Sequence, residues 1–111
     1  KESDYFGIVS GRDTDKFSAT GLTPISSELV DAPYIAEFPM ILECRLSLTC
    51  EIGLHTQFIG EIVDIKVEET ILGEDGKPSI EKLLPCIFAP GNLSYYGIGR
   101  QLGKAYSICK I

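Results

Sequence analysis

Residues 42–67 read LECRLSLTCEIGLHTQFIGEIVDIKV, a pattern that specifies a long antiparallel hairpin. Leu42, Cys44, Leu46, Leu48, Cys50 and Ile52 alternate with Glu43, Arg45, Ser47, Thr49 and Glu51, the period of two that gives a strand one apolar and one wet face. Gly53 and Leu54 make a tight connection, and His55 opens the returning strand to Val67. Within that strand the apolar parity changes, with Phe58 and Ile62 on even positions and Val63, Ile65 and Val67 on odd ones. A bulge near Gly60 reconciles them and curves the sheet.

Outward from the hairpin the elements shorten. Thr23 to Pro39 contains Pro24, Pro33 and Pro39 and reads as an extended crossing with a turn near Ile35 to Phe38. Glu74 to Pro78 is a polar turn, after which Ser79 caps a short helix through Leu84 that Pro85 closes. Cys86 to Ala89 reads as a strand ending at the Pro90-Gly91-Asn92 turn. Tyr95 to Arg100 reads as a mobile aromatic and glycine-rich connector, and Lys104 to Ile111 as a last strand. The expected chain is mainly β, a small open or split β-barrel with a few short helices.

With 111 residues there is one domain's worth of chain, able to bury roughly 65% of its unfolded surface. The 44% apolar content argues for an ordered chain. A net charge of −6 repels nucleic acid and anionic membranes, so neither is an expected partner. The charge is uneven: residues 23–82 carry twelve acids against four bases, whereas residues 83–111 carry three bases and no acid. An acidic middle and a basic tail suit self-association. No apolar run reaches the roughly 20 residues that span a bilayer, and the opening residues do not read as a basic, then apolar, then small-residue signal segment. These features predict a soluble, cytoplasmic chain. It opens on Lys1 rather than Met, which suggests a piece of something longer.

Cys44, Cys50, Cys86 and Cys109 match neither a zinc knuckle nor a CxxC pair. Cys44 and Cys50 share a strand roughly 20 Å apart at about 3.3 Å per residue, beyond disulfide reach. They are expected to be small buried apolar groups in a reducing compartment, with no metal.

Between Ser10 and Leu22 a small-residue turn delivers Arg12 and Lys16. Ser10 or Asp13 caps a helix through Lys16 and Phe17 that ends at Gly21, and the amides at its N-terminus favour a phosphate. The same charges also describe a solvated helix start with local pairs. The string is not a Walker A loop. His55, the single histidine, reads from residue chemistry as a turn histidine. Phe88, Tyr95 and Tyr96 suit either ligand stacking or a core. Glu43 and Glu51 share the wet face of one strand, with Glu61 on its partner, yet nothing gives them a pocket for acid–base work.

Taken in order, Tyr5-Phe6-Gly7, Ser10-Gly11-Arg12-Asp13, Asp15-Lys16-Phe17, Gly21-Leu22, Asp31-Ala32-Pro33 and Leu42-Glu43-Cys44 form a pattern. It continues through Gly53-Leu54-His55, Phe58-Ile59-Gly60-Glu61, Val63, Tyr95-Tyr96-Gly97 and Gly103-Lys104. This series resembles the flavoredoxin branch of the flavin reductase-like, FMN-binding split-barrel family, over almost the whole chain. The resemblance implies an FMN site at a homodimer interface, with Lys16 on the phosphate, His55 against the cofactor and Phe88 near the ring. Ser10 and Arg12 lie in the phosphate loop. It also implies electron transfer, or flavin reduction by NAD(P)H or a redox protein. The family's N-terminal strands have no counterpart here, so residues 1–111 are expected to be a partial flavin reductase-like domain. It would need the missing strands, a second chain or self-association. The alternative is a structural or interaction fragment without flavin chemistry.

Overall fold

The hairpin forms as its alternation predicts in the computed structural model, which describes residues 1–107 and divides into two units, Lys1–Val67 and Glu68 onward. In the first unit, strands β3 (Met40–Ile52) and β4 (His55–Val67) pair antiparallel from Met40↔Val67 to Ile52↔His55. Gly53 takes φ 59°, the left-handed value that a two-residue hairpin turn with glycine in first place requires. The expected bulge is present and has a counterpart. Gly60 pairs with Leu46 where the register shifts, leaving Ser47 as the extra residue on β3, and a second shift leaves Val63 extra on β4. Each inserted residue bends its strand and strengthens the twist.

Helix α1 (Glu2–Ile8), which the periodicity did not reveal, carries Glu2 and Asp4 in its first turn, where acids complement the helix dipole. Helix α2 (Lys16–Thr20) ends on Gly21 at φ 72°, as expected. The Thr23–Pro39 crossing is a small hairpin rather than an unpaired segment. Strands β1 (Pro24–Ser26) and β2 (Pro33–Ile35) pair antiparallel, and Phe38 N–H closes the expected turn onto Ile35 at 3.2 Å.

In the second unit a 3-10 turn, Glu69–Ile71, precedes helix α3 (Ile80–Leu83) and the paired strands β5 (Cys86–Ala89) and β6 (Ser94–Gly97). Ser79 stands at the N-cap of α3, but its hydroxyl donates to Glu81 at 3.0 Å instead of capping the helix. Two expectations fail here. Tyr95 to Gly97 is strand, because Phe88 and Tyr95 pair across β5 and β6, so the connector shortens to the residues after Gly97. Lys104 to Ser107 forms no strand, only a turn closed by Ser107 N–H on Lys104 O. The remainder of that expected strand, with Cys109, lies outside the described residues.

The expected core is also absent. Among the described residues only Ile35 and Ile71 are buried apolar side chains, while Leu46 is 59% and Phe58 67% exposed. Each sheet has two strands, and such a sheet has no second layer to cover its apolar side chains. The same reason corrects the cysteines: Cys44 and Cys86 are exposed and Cys50 partly so, all three as free thiols.

A Cβ built on Gly60 would lie 3.1 Å from Cys44 Cβ and 3.5 Å from the Arg45 carbonyl. Gly60→Val is therefore expected to destabilise the hairpin by about 1–3 kcal/mol, through overpacking. Its urea midpoint should fall, whereas Gly91→Ala, at a position with nothing within 4 Å, should leave the midpoint unchanged.

Candidate functional site

Lys16 is placed by two short helices. Its ammonium donates to the Phe6 carbonyl at 2.7 Å, one of the C-terminal carbonyls of α1 that lack an intrahelical partner. The Nζ lies 5.7 Å from the Phe6 ring centroid, and Phe6 and Phe17 meet edge to face at 5.4 Å. The half-buried lysine stands at a cavity of about 600 Å³ lined by Phe6, Gly11, Thr14, Asp15, Lys16, Phe17, Pro33, Tyr34, Ile35, Phe38, Ile41 and Leu42. Four aromatic rings and one cation suit a flat apolar ring system bearing an anionic group. An ammonium has three donors and Phe6 takes one, so two remain for such an anion.

The helix N-terminus contributes less than expected. Asp15, not Ser10 or Asp13, is the N-cap: its carboxylate accepts from Phe17 N–H at 3.1 Å and from Ser18 N–H and Oγ at 3.2 and 2.6 Å. Those amides are occupied, and the carboxylate brings negative charge to the place proposed for a phosphate. Ser10 Oγ accepts from Arg12 N–H at 3.2 Å and Ser10 O from Asp13 N–H at 3.3 Å, so Ser10 and Arg12 share one tight turn with both side chains exposed.

His55 is exposed and pairs with Ile52 beside the hairpin turn. Leu42 lines the cavity, and from Leu42 to Ile52 the strand runs roughly 33 Å at about 3.3 Å per residue. That separation exceeds the length of a flavin mononucleotide. The residues expected to flank one cofactor thus stand at opposite ends of one hairpin. Phe88, about half exposed in β5, packs on Tyr95 with ring centroids 5.3 Å apart.

One charged side chain overturns its sequence reading. Glu43, expected on the wet face, is 2% exposed, the most buried side chain described. It accepts from Leu29 N–H at 3.1 Å through Oε2, and its Oε1 faces Lys66 Nζ at 3.2 Å, off the line of a hydrogen bond. Lys66 also meets Asp64 at 2.8 Å and Glu28 at 3.3 Å. The hydrogen bond with Asp64, with Glu43 and Glu28 adding, holds the Lys66 ammonium well above the usual lysine value despite the opposing cost of desolvation. The available signal was the register: Glu43 lies directly opposite Asp64, and two acids facing each other require a cation between them. Among the described residues, no cluster of three or more His, Cys, Asp or Glu could hold a metal ion, and no helix is long and apolar enough to cross a membrane.

Residues 1–97 match the flavin reductase like domain. This chain belongs to that family. Flavoredoxin of Desulfovibrio vulgaris (Miyazaki F) superposes with a TM-score of 0.88 at 52% identity, covering 98% of this chain and 58% of that one. Flavoredoxin from Methanosarcina acetivorans gives 0.83 at 36% identity, covering 96% and 56%. A protein from Shewanella frigidimarina with a split barrel domain gives 0.72 at 24% identity, covering 96% and 54%, a likeness of fold. The fold is that of the split-barrel flavin reductases. The chain spans less than half the length of the curated relatives it matches.

The Asp15 cap carries a pH signature. Its carboxyl lies below the usual aspartate value because the Ser18 hydroxyl, then the Ser18 and Phe17 amides, donate to the charged form. A lowered folded value means the cap is fully present above the unfolded value and is lost as pH falls through the folded one. The Phe17 and Ser18 amide chemical shifts should titrate together with a midpoint below the ordinary aspartate value. Asp15→Asn, which keeps a capping oxygen without the charge, should remove that transition.

Proposed function

We propose that this chain is part of an FMN-binding, flavoredoxin-like electron-transfer protein, with the flavin held between two copies of the chain. The observation that carries the reading is Lys16, with two donors to spare, at an aromatic-lined cavity. Lys16 binds the phosphate, and Ser10 and Arg12 bring the neighbouring turn to it. His55 reaches the cofactor from the hairpin tip of the second copy, which accounts for its distance from Lys16 along its own strand. Phe88 packs near the ring. The open strand edges and exposed apolar residues support a barrel completed by further strands or by association.

Lys16, His55 and Phe88 would hold and orient the ring, and a bound flavin would supply hydride or two-electron chemistry tuned by its surroundings. The donor is a reduced nicotinamide or a redox protein. The free thiols Cys44, Cys50 and Cys86 support a reducing, cytoplasmic setting. Whether flavin reduction is catalytic or a carrier step depends on that donor.

A second reading, an interaction segment without flavin chemistry, is favoured by the exposed apolar side chains of both units. Flavin titration separates the two. FMN should show a shifted visible spectrum and quenched fluorescence on addition of the chain, with Lys16→Ala and His55→Ala each weakening binding about tenfold or more, as expected for a lost charged or hydrogen-bonded contact. Mixing the two variants should restore tight binding at a minority of sites, because a mixed pair holds one intact Lys16 and His55 combination. No spectral change favours the interaction segment, and unchanged affinity in both variants removes Lys16 and His55 from the site.

A further inference from the structure

The three-residue strands β1 and β2 are too short to hold their own position, yet Pro33, Tyr34 and Ile35 of β2 form one wall of the Lys16 cavity. Something outside that small hairpin has to seat it. Buried Ile35 contributes, and the other attachment is polar. The turn joining β1 to β2 brings Leu29 N–H onto Glu43 Oε2 and the Glu28 carboxylate onto Lys66, whose ammonium also faces Glu43 Oε1. Glu43 lies two residues beyond Ile41, a cavity residue, and Ile41 is the direct cross-strand partner of Lys66. The clamp therefore ties the β1–β2 turn to the end of the main hairpin whose β3 residues Ile41 and Leu42 also line the cavity.

We infer that Glu43 is a positioning residue for the flavin pocket, acting with Lys66 through the Leu29 amide to seat the β2 wall against the base of the main hairpin. This rests on the reading of the cavity as a flavin site. A hydrocarbon side chain at position 43 would fill space but leave the Leu29 amide without its acceptor and the turn without its anchor. The inference also accounts for a carboxylate buried in a chain with almost no core. Such a group persists only where it is paired and hydrogen-bonded.

The test separates positioning from stability. Lys66→Met alone strands the buried Glu43 carboxylate and should lower thermal stability, whereas the double variant Glu43→Leu/Lys66→Met should recover much of that loss; Glu43→Leu alone leaves Lys66 paired with Asp64 and Glu28 and should cost less. The double variant should still bind FMN about tenfold more weakly than the parent chain, the effect of one lost hydrogen bond to a charged group. Glu43→Gln, which keeps an acceptor for Leu29 N–H, should bind more tightly than Glu43→Leu. Amide exchange in the double variant should quicken at Ser27 and Ala36, which close the β1–β2 hairpin, but not at Gln57 or Ile59, whose amides bond across the far half of the main hairpin. Unchanged exchange at Ser27 and Ala36, or FMN affinity restored together with stability in the double variant, overturns the inference. With Lys16→Ala still weakening FMN, that result leaves the site reading standing. A Lys16→Ala variant that binds FMN like the parent overturns the site reading itself, and with it the role of Glu43 toward flavin.

Discussion

Strands β3 and β4 are thirteen residues each and hydrogen-bond to one another, and most of the first unit depends on that pairing. Two paired strands satisfy half of their backbone groups and leave two outer edges and two faces. Where nothing lies over a face, its leucines and isoleucines remain exposed. Where something does, the cover is short and polar: the turn between β1 and β2 reaches over the hairpin base and buries Glu43. The length of the hairpin also sets the scale of the site, since it carries His55 to one end and leaves the Lys16 cavity at the other.

The charge arrangement follows from that geometry. Glu43 and Asp64 face each other across the strands, and Lys66 lies between them with Glu28 of the turn on its other side. Three carboxylates around one ammonium exceed neutrality, and the two more exposed acids, Glu28 and Asp64, keep their excess charge partly in water. The buried one relies on Lys66 and the Leu29 amide. A pocket wall fixed by such a network is held in place before any ligand arrives, which lowers the ordering cost of binding. At Lys16 the same economy applies, since the ammonium serves the end of α1 while keeping donors for an anion.

The features legible in the sequence were those set by neighbours along the chain. The alternation of Leu42 to Ile52, the turn at Gly53, the bulge at Gly60, the end of α2 at Gly21 and the α3 boundaries all follow from local periodicity and backbone preference. Beside these, the helix cap was misassigned within a few residues, because Ser10, Asp13 and Asp15 are all chemically able to cap and only the backbone path selects Asp15. The β1–β2 and β5–β6 pairings were missed because three- and four-residue strands lack enough alternation to register.

The sequence by itself determined a curved antiparallel hairpin, a lysine-bearing loop ahead of it and an ordered run of residues similar to the flavin reductase family. The tertiary structure alone decided that Glu43 is buried, that Lys16 rests on the end of α1 and that His55 stands far from it along the strand. Each of those outcomes depends on contacts or separations between residues distant in sequence, ten positions from Lys16 to Phe6, fourteen from Leu29 to Glu43 and twenty-three from Glu43 to Lys66. Burial and electrostatic pairing are properties of what the chain brings alongside a residue, and no local pattern encodes them.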